Sequence, residues 1–276
     1  MSIRIKKLAI AVTFHYNEDH LQHLRKISEQ FPLLAESVSV HVVSNEGDRD
    51  KKQRIAASVR QGRDFDVQVH TPTYLGHPFL LTWCHFYVFR ILFELDKDIT
   101  HYMYLEDDIL VRPDNIDYWL RSYETLKIFN LIPAFLRYDT DERSMDIYST
   151  DQRQKSEFSQ LAKVKISNDY CFLNLIDGYQ GMYLLDRELM NQHLNGPSSI
   201  PEYSYFSGIR EKAAAGLSHT NVPQGCLHRL FTGYDLALQR IDPGSLIHHL
   251  RSTHSRANAE THPVGYIKVE DLIISS

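Results

Sequence analysis

Apolar positions recur with two alternating periods through the first half of the chain. Residues 7–14, KLAIAVTF, form a continuous apolar run of strand length, closed by His15, Asn17, Glu18 and Asp19. Behind Asn17, Leu21, Leu24 and Ile27 return at helical spacing. The β-branched stretch 37–45 predicts a second strand, the charged stretch 51–60 a helix, and the alternation of 65–71 a third strand. Pro78 opens a long apolar stretch to residue 95, predicted as one buried helix because it carries His85 and Arg90. His101 to Leu105 reads as another buried strand, and a helix follows over 114–129. Strands alternating with helices predict an α/β fold with a Rossmann-like, mostly parallel central sheet flanked by helices.

The second half is less regular. Residues 139–169 are polar and are expected to include a mobile loop, the place for a lid over a ligand. A strand, a glycine pair (Gly178 and Gly181), a second strand and a helix from near Asp186 are predicted over 171–194. Another helix is expected over 208–219, short apolar runs over 221–247, and a last strand over 265–274. There is no repeat, low-complexity tract or linker. The pattern therefore predicts a single domain over 1–276, with halves 1–130 and 131–276.

Composition narrows the class. With 30 basic against 35 acidic residues, a net charge of −5 and no basic block, nucleic acid is not the expected partner. The 16 tyrosines suit a groove that stacks sugar or base rings. Cys84, Cys171 and Cys226 are widely spaced and form no CxxC, so neither a disulfide framework nor a cysteine zinc site is expected. The N-terminal apolar run is too short for a signal peptide and no small-residue cleavage site follows it. With no expected transmembrane segment, a cytoplasmic protein is predicted, one for which peripheral contact with a membrane surface is compatible.

The chemistry concentrates at Glu106-Asp107-Asp108, where the strand beginning at His101 ends. Adjacent carboxylates at the end of a buried strand repel one another and lose hydration, so a cation is expected to compensate them. Hard divalent ions with oxygen ligands, Mn²⁺ or Mg²⁺, fit this chemistry. In an extended chain Glu106 and Asp108 face the same side. Ligands of parallel sheets bind beyond the carboxyl ends of the strands, where these acids fall. Downstream, Gly178 and Gly181 leave room for a ligand against the backbone. Glu211 opens a helix, and His248, His249 and His254 cluster within seven residues.

This order of motifs resembles the GT-A glycosyltransferases, which use nucleotide-sugar donors and carry an Asp-x-Asp metal motif with Glu-Asp-Asp as a variant. The resemblance implies a metal held by Glu106, Asp108 and one of His248 and His249, with Asp107 on the metal or the donor ribose. Thr13, His15, Asn45 and Glu46 would flank the base and ribose. His77 and Arg251 would reach the diphosphate, and Gly178 and Gly181 would line the sugar. Glu211 is the first candidate for general base in an inverting reaction, with Asp177 and Asp235 behind it. Arg210 stands where the family more often has an acid. The implied reaction transfers a sugar, from a UDP-sugar by preference, to the hydroxyl of a glycan, glycolipid or small molecule, as in assembly of a bacterial surface glycan. A metal-dependent phosphoester or nucleotide-sugar hydrolase, and a non-catalytic nucleotide-sugar-binding protein, are the alternatives.

Overall fold

The computed structural model describes residues 4–141, 144–203, 208–250 and 267–274. In chain order the elements are β1 (Lys7–Phe14), α1 (Leu21–Ser28), β2 (Ser37–Ser44), α2 (Arg49–Arg60), β3 (Asp66–His70), α3 (His85–Leu95) and β4 (His101–Glu106). Then come β5 (Ile109–Leu110), α4 (Pro113–Leu126), β6 (Ile132–Pro133), β7 (Leu136–Thr140), β8 (Ile147–Ser149), β9 (Ser156–Glu157), β10 (Lys163–Lys165) and β11 (Tyr170–Leu173). The remainder is β12 (Met182–Asp186), α5 (Arg187–Asn195), α6 (Ile209–Ala214), β13 (Leu230–Asp235), β14 (Arg240–Ile241), β15 (Leu246–His249) and β16 (Ile273–Ile274). Contacts divide the described residues into two compact units, one within 4–109 and 181–217, the other within 110–180, 218–250 and 267–274.

The first unit is built on one five-stranded sheet, ordered β12-β4-β1-β2-β3. Strands β4, β1, β2 and β3 are parallel, and β12 runs antiparallel on the edge of β4. The chain leaves β1 toward β2 on one side and returns to β4 on the other, so the topological switch point lies between β1 and β4. Leu8 to Val12 and Tyr102 to Leu105 are fully buried, as expected of parallel strands covered on both faces. Leu24 and Ile27 of α1, and Val88 and Phe89 of α3, supply buried helix faces. The antiparallel strand β12 continues into α5, whose first turn is capped by Asp186 accepting from Leu189 N at 2.8 Å.

The stretch predicted as one helix from Pro78 is two pieces, a 3-10 helix Pro78–Cys84 and then α3. Thr82 Oγ1 donates back to Phe79 O at 2.8 Å, a local bond that competes with the α-helical ladder and favours the tighter turn. By length and composition Pro78–Leu95 could cross a membrane. In this fold its His85, Phe86, Val88 and Phe89 are buried, while Tyr87, Ile91 and Leu95 form an exposed stripe.

The second unit holds three small sheets. β10-β11-β13-β14 is antiparallel, with β6 added in parallel on β13; β15 and β7 pair in parallel, with β8 antiparallel on β7; β16 pairs with β9. Its core gathers Leu136, Leu161, Cys171, Leu173, Leu175, Tyr234, Ile241, Val269 and Leu272. Asn115 in α4 accepts from Arg112 N at 2.8 Å and donates to Gly244 O and Leu246 O at 2.8 and 2.9 Å, fastening the helix start to the approach of β15. Within the polar stretch 139–169, expected to include a loop, the described part holds the end of β7, then β8, β9, a 3-10 turn and β10. Their polarity is inward, with Ser149, Thr150, Asp151, Gln152 and Ser156 all buried. A polar sequence that pairs its groups internally reads like a loop until the partners are seen.

Burial makes this fold sensitive to acid. His85 and His193 of the first unit are held neutral, their pKa values lowered by burial to about 3, and burial beside His70 lowers His41 to about 4. The unfolded chain has ordinary histidines near 6.5 and so binds more protons than the native state below that pH. Stability should therefore be flat in these groups above about pH 6.5 and fall steadily as pH drops toward 4. Denaturant midpoints measured at half-unit steps from pH 8 to 5 should decline only below about 6.5; a level profile down to pH 5 would contradict this account.

Candidate active site

In the first unit β4 delivers the acids to the switch point. Thr13 of β1 stands in register with Glu106, and Glu106 N donates to Gly181 O at 3.1 Å. Gly181 has φ of +64°, a left-handed conformation in which a side chain would be strained. The strand ends at Glu106, and Asp107 and Asp108 form a turn. The alternation expected of an extended chain therefore stops one residue early, and Glu106 and Asp108 are not i and i+2 of a strand. Asp107 and Asp108 are buried at 8% and 5% exposure, whereas Glu106 is half-buried. His20, which the sequence reading passed over, brings Nδ1 within 4.0 Å of Asp107 Oδ2. It ends the short 3-10 helix that Asn17 caps, three residues after that cap, and only the fold returns it to the acids.

The other first-unit candidates are tied into the strand ends. Thr13 is buried and His15 is exposed just beyond β1. Asn45 Oδ1 accepts from Tyr16 N at 2.8 Å, joining the β1 and β2 ends, and Lys51 lies 5.1 Å over the Tyr16 ring. Glu46 accepts from Asp48 N at 2.9 Å and pairs with Lys51 at 3.0 Å; these two donors lower its pKa. His77 caps the 3-10 helix, Nδ1 accepting from Phe79 N at 3.2 Å. Glu211 falls in the first turn of α6 with its carboxylate folded over Gly208, where an added Cβ would lie 1.7 Å from Oε2. Trp83 Nε1 donates to Ile209 O at 2.9 Å and seats that helix, and Arg210 lies 5.3 Å over Phe79.

In the second unit the conspicuous feature is a polar face on the β15-β7-β8 sheet. Ile247 pairs with Arg137 and His248 with Tyr138, so the next step along both strands brings His249 beside Asp139. Asp139 is completely buried, His249 is 5% exposed, and His249 Nδ1 lies 2.8 Å from Asp139 Oδ1. His248 instead stacks on Tyr138 at 5.0 Å and 4°. Alternation thus separates the two histidines as expected. Arg137 holds Asp151 in a bidentate pair, Nε to Oδ2 at 2.9 Å and Nη2 to Oδ1 at 2.5 Å, with its guanidinium 4.7 Å over Tyr179. Gln152 donates to Asp177 O at 2.7 Å and accepts from Asp177 N at 3.3 Å, so the glycine segment is clamped from β8's end. Burial raises the Asp177 pKa, opposed by the Tyr179 N–H bonded to its Oδ1 at 2.9 Å.

Two further candidates serve the frame of this unit. The His228 ring packs so closely on Gly178 that an added Cβ would lie 2.8 Å from Cδ2. Asp235 accepts from Leu238 N at 2.9 Å in the turn joining β13 to β14. Arg251 and His254 lie outside the described residues. Arg137, Asp139, Asp151 and Tyr179 were missed by sequence reasoning. The available signal was Leu136-Arg137-Tyr138-Asp139, a strand alternation that puts two opposite charges on one face.

The donor set of the acidic turn, carboxylate oxygens only, fits a hard divalent cation. Among the described residues no group of three His, Cys, Asp or Glu side chains stands ready to hold an ion alone. An ion here fits the Mg²⁺ and Mn²⁺ habit of one or two carboxylates completed by water and substrate phosphates.

No protein-family profile matches the chain, and no curated protein sequence matches it. Among solved structures, GalNAc-T7 with UDP, GalNAc and Mn²⁺ matches with a TM-score of 0.53 at 9% identity, over 89% of this chain and 43% of that one. The fold is a GT-A glycosyltransferase fold. An active-site mutant of LgtC matches at TM-score 0.39 and 13% identity, over 76% of this chain and 69% of that one. A mannosyltransferase from Pyrobaculum calidifontis in complex with GDP-Man and Mn²⁺ matches at 0.48 and 10%, over 92% and 60%. This chain thus spans less than half the length of the GalNAc-T7 chain. Within the GT-A fold, the parallel sheet is where the acidic turn sits.

The Arg137–Asp151 pair gives a sharp test of the second unit. Replacing Arg137 by Met leaves Asp151 buried without its fork, which should cost about 3–5 kcal/mol. The double variant Arg137→Met with Asp151→Leu should recover most of that loss in urea denaturation, since removing both charges avoids the orphan.

Proposed function

We propose that this chain is a metal-dependent glycosyltransferase that moves a sugar from a nucleoside diphosphate sugar to a hydroxyl acceptor. The observation that carries this reading is the half-buried Glu106 and the buried Asp107-Asp108 turn at the switch point of a parallel sheet in a GT-A fold. The solved GalNAc-T7 holds UDP, GalNAc and Mn²⁺, which supports Mn²⁺, with Mg²⁺ as the alternative, and a UDP-sugar as the first donor to try. Glu106, Asp107 and Asp108 would hold the ion, which when bound supplies Lewis-acid stabilisation of the leaving diphosphate. Thr13 and His15 at the end of β1, and the Tyr16–Asn45 link at the end of β2, would bind the nucleoside beyond the strand ends.

For an inverting reaction a carboxylate must take the acceptor proton. Glu211 folds over Gly208 and Asp235 holds a turn, whereas Asp177 has a pKa raised by burial. We therefore favour Asp177 as the base. Glycan, glycolipid and small-molecule acceptors all suit this chemistry, and bacterial surface glycan assembly is the setting we propose. A cytoplasmic location is part of the proposal, supported by the free cysteines Cys84, Cys171 and Cys226.

Calorimetric titration of Mn²⁺ with UDP, GDP, CDP and their sugars tests the reading. One diphosphate should bind only with metal, and Asp108→Asn should weaken metal-dependent binding at least tenfold while the thermal midpoint is kept. Product analysis with an acceptor panel should then show sugar transfer. No diphosphate binding by the wild type would end the transferase reading, and release of free sugar without transfer under any acceptor would favour the hydrolase.

A further inference from the structure

We propose that the cleft at the amino-terminal end of the parallel sheet is a binding site for a neutral sugar ring. It lies within the first unit, where β1 and β2 begin at Lys7 and Ser37, whereas the acidic turn lies where β1 and β4 end. The two sites are therefore separate. The cleft has a volume of about 630 Å³, within the range of small-molecule sites. β2 alternates Ser-Val-Ser-Val-His-Val from residue 37, so Ser37, Ser39 and His41 share one face and the valines take the other. In register, Ser39 stands beside Asp66 of β3 and His41 beside Gln68, and all four line the cleft.

Two groups on this wall lack an answer. Among the described residues neither Ser39 Oγ nor His41 Nε2 has a hydrogen-bond partner, although both atoms are buried and His41 is only 2% exposed. Buried polar atoms in native proteins are nearly always paired, so two orphans on one wall of a cleft point to a ligand. The other nitrogen of His41, Nδ1, lies 3.0 Å from His70 Nε2. One of that pair donates and the other accepts, which leaves His41 Nε2 with a lone pair in one tautomer and a proton in the other. A hydroxyl both donates and accepts, so it satisfies His41 in either tautomer and Ser39 equally. The rim sets the charge of the ligand. Glu36, Asp64 and Asp66 are exposed there, and carboxylates accept from hydroxyls but repel a phosphate or carboxylate. Lys7 also lines the cleft and is held by Asp96 at 2.7 Å. Phe65 and Leu92 add apolar surface for the C–H face of a ring. Several hydroxyls on an uncharged ring with an apolar face are the chemistry of a sugar.

The test uses the full chain without metal or nucleotide, and saturation-transfer NMR with glucose, galactose, mannose and N-acetylglucosamine. At least one should bind with a millimolar Kd, and its phosphate ester should bind at least tenfold more weakly. Ser39→Ala should weaken binding about threefold to tenfold, and His41→Phe should abolish it. Asp108→Asn should leave it unchanged, which separates this site from the proposed donor site. No binding of any of the four sugars by the wild type would overturn the proposal and leave water to satisfy the two orphans. Wild-type affinity in both Ser39→Ala and His41→Phe, equal affinity for the phosphate ester, or loss of binding in Asp108→Asn would overturn it as well. Should His41→Phe fail to fold, Ser39→Ala decides. Failure here leaves the transferase reading, which is tested by metal-dependent diphosphate binding, untouched.

Discussion

Repulsion among Glu106, Asp107 and Asp108 is the constraint around which the first unit is arranged. Two carboxylates about 5 Å apart at an effective dielectric near 20 repel by about 3 kcal/mol, before any loss of hydration is counted. The chain cannot relieve this by moving. β4 is paired with β1 on one side and β12 on the other, and Glu106 N is bonded to Gly181 O. His20 offers partial relief to Asp107 at 4.0 Å, through an imidazole that is charged only when protonated. A sheet that fixes three acids where parallel sheets bind ligands is what makes the proposed cation site physically reasonable, since a bound cation would offset their repulsion. In the proposed transferase the same rigidity would serve catalysis, because the charge of the site would not need to reorganise when a diphosphate departs.

The second unit meets a related problem with opposite means. Its β15-β7-β8 sheet and the turn after β8 bury Arg137, Asp139, Asp151 and His249, with Arg137 paired to Asp151 and Asp139 Oδ1 to His249. Ion pairs of this kind contribute little net stability compared with apolar packing, so their value lies in direction. The Arg137 fork orients Asp151 and lies over Tyr179, and Gln152 clamps the backbone of Asp177. The glycine segment is thereby held by polar contacts with fixed angles, where an apolar contact would have allowed sliding.

How much of this could be read from the residues depends on where the energy comes from. β1, β2, β3 and β4 were legible because a buried parallel strand needs an apolar run, and the runs 7–14, 37–45, 65–71 and 101–105 stand out. The acids were legible because charge interrupts such a run. The turn at Asp107-Asp108 was not, since nothing in three consecutive acids distinguishes a strand end from a continued strand. Nor was the architecture of 139–169, where the stabilising partners are polar side chains distant in sequence, such as Arg137 for Asp151 and Asp177 for Gln152. His248 and His249 were indistinguishable by type and separated only by their neighbours Tyr138 and Asp139.

The three carboxylates nominated as base illustrate the same point at the level of chemistry. A general base needs a carboxylate that is not already committed and whose proton affinity is raised. Glu211 lies over Gly208 at the start of a short helix, a position that serves the helix, and Arg210 Nη2 is 3.8 Å from its Oε1. Asp235 is committed to Leu238 N in a hairpin turn. Asp177 likewise accepts from one backbone N–H, that of Tyr179, but burial and the negative neighbour Asp151 raise its pKa. Sequence position ranks Glu211 first because it matches where the motif falls. Environment is the ground for proposing Asp177, because burial and a negative neighbour govern how readily a carboxylate takes a proton.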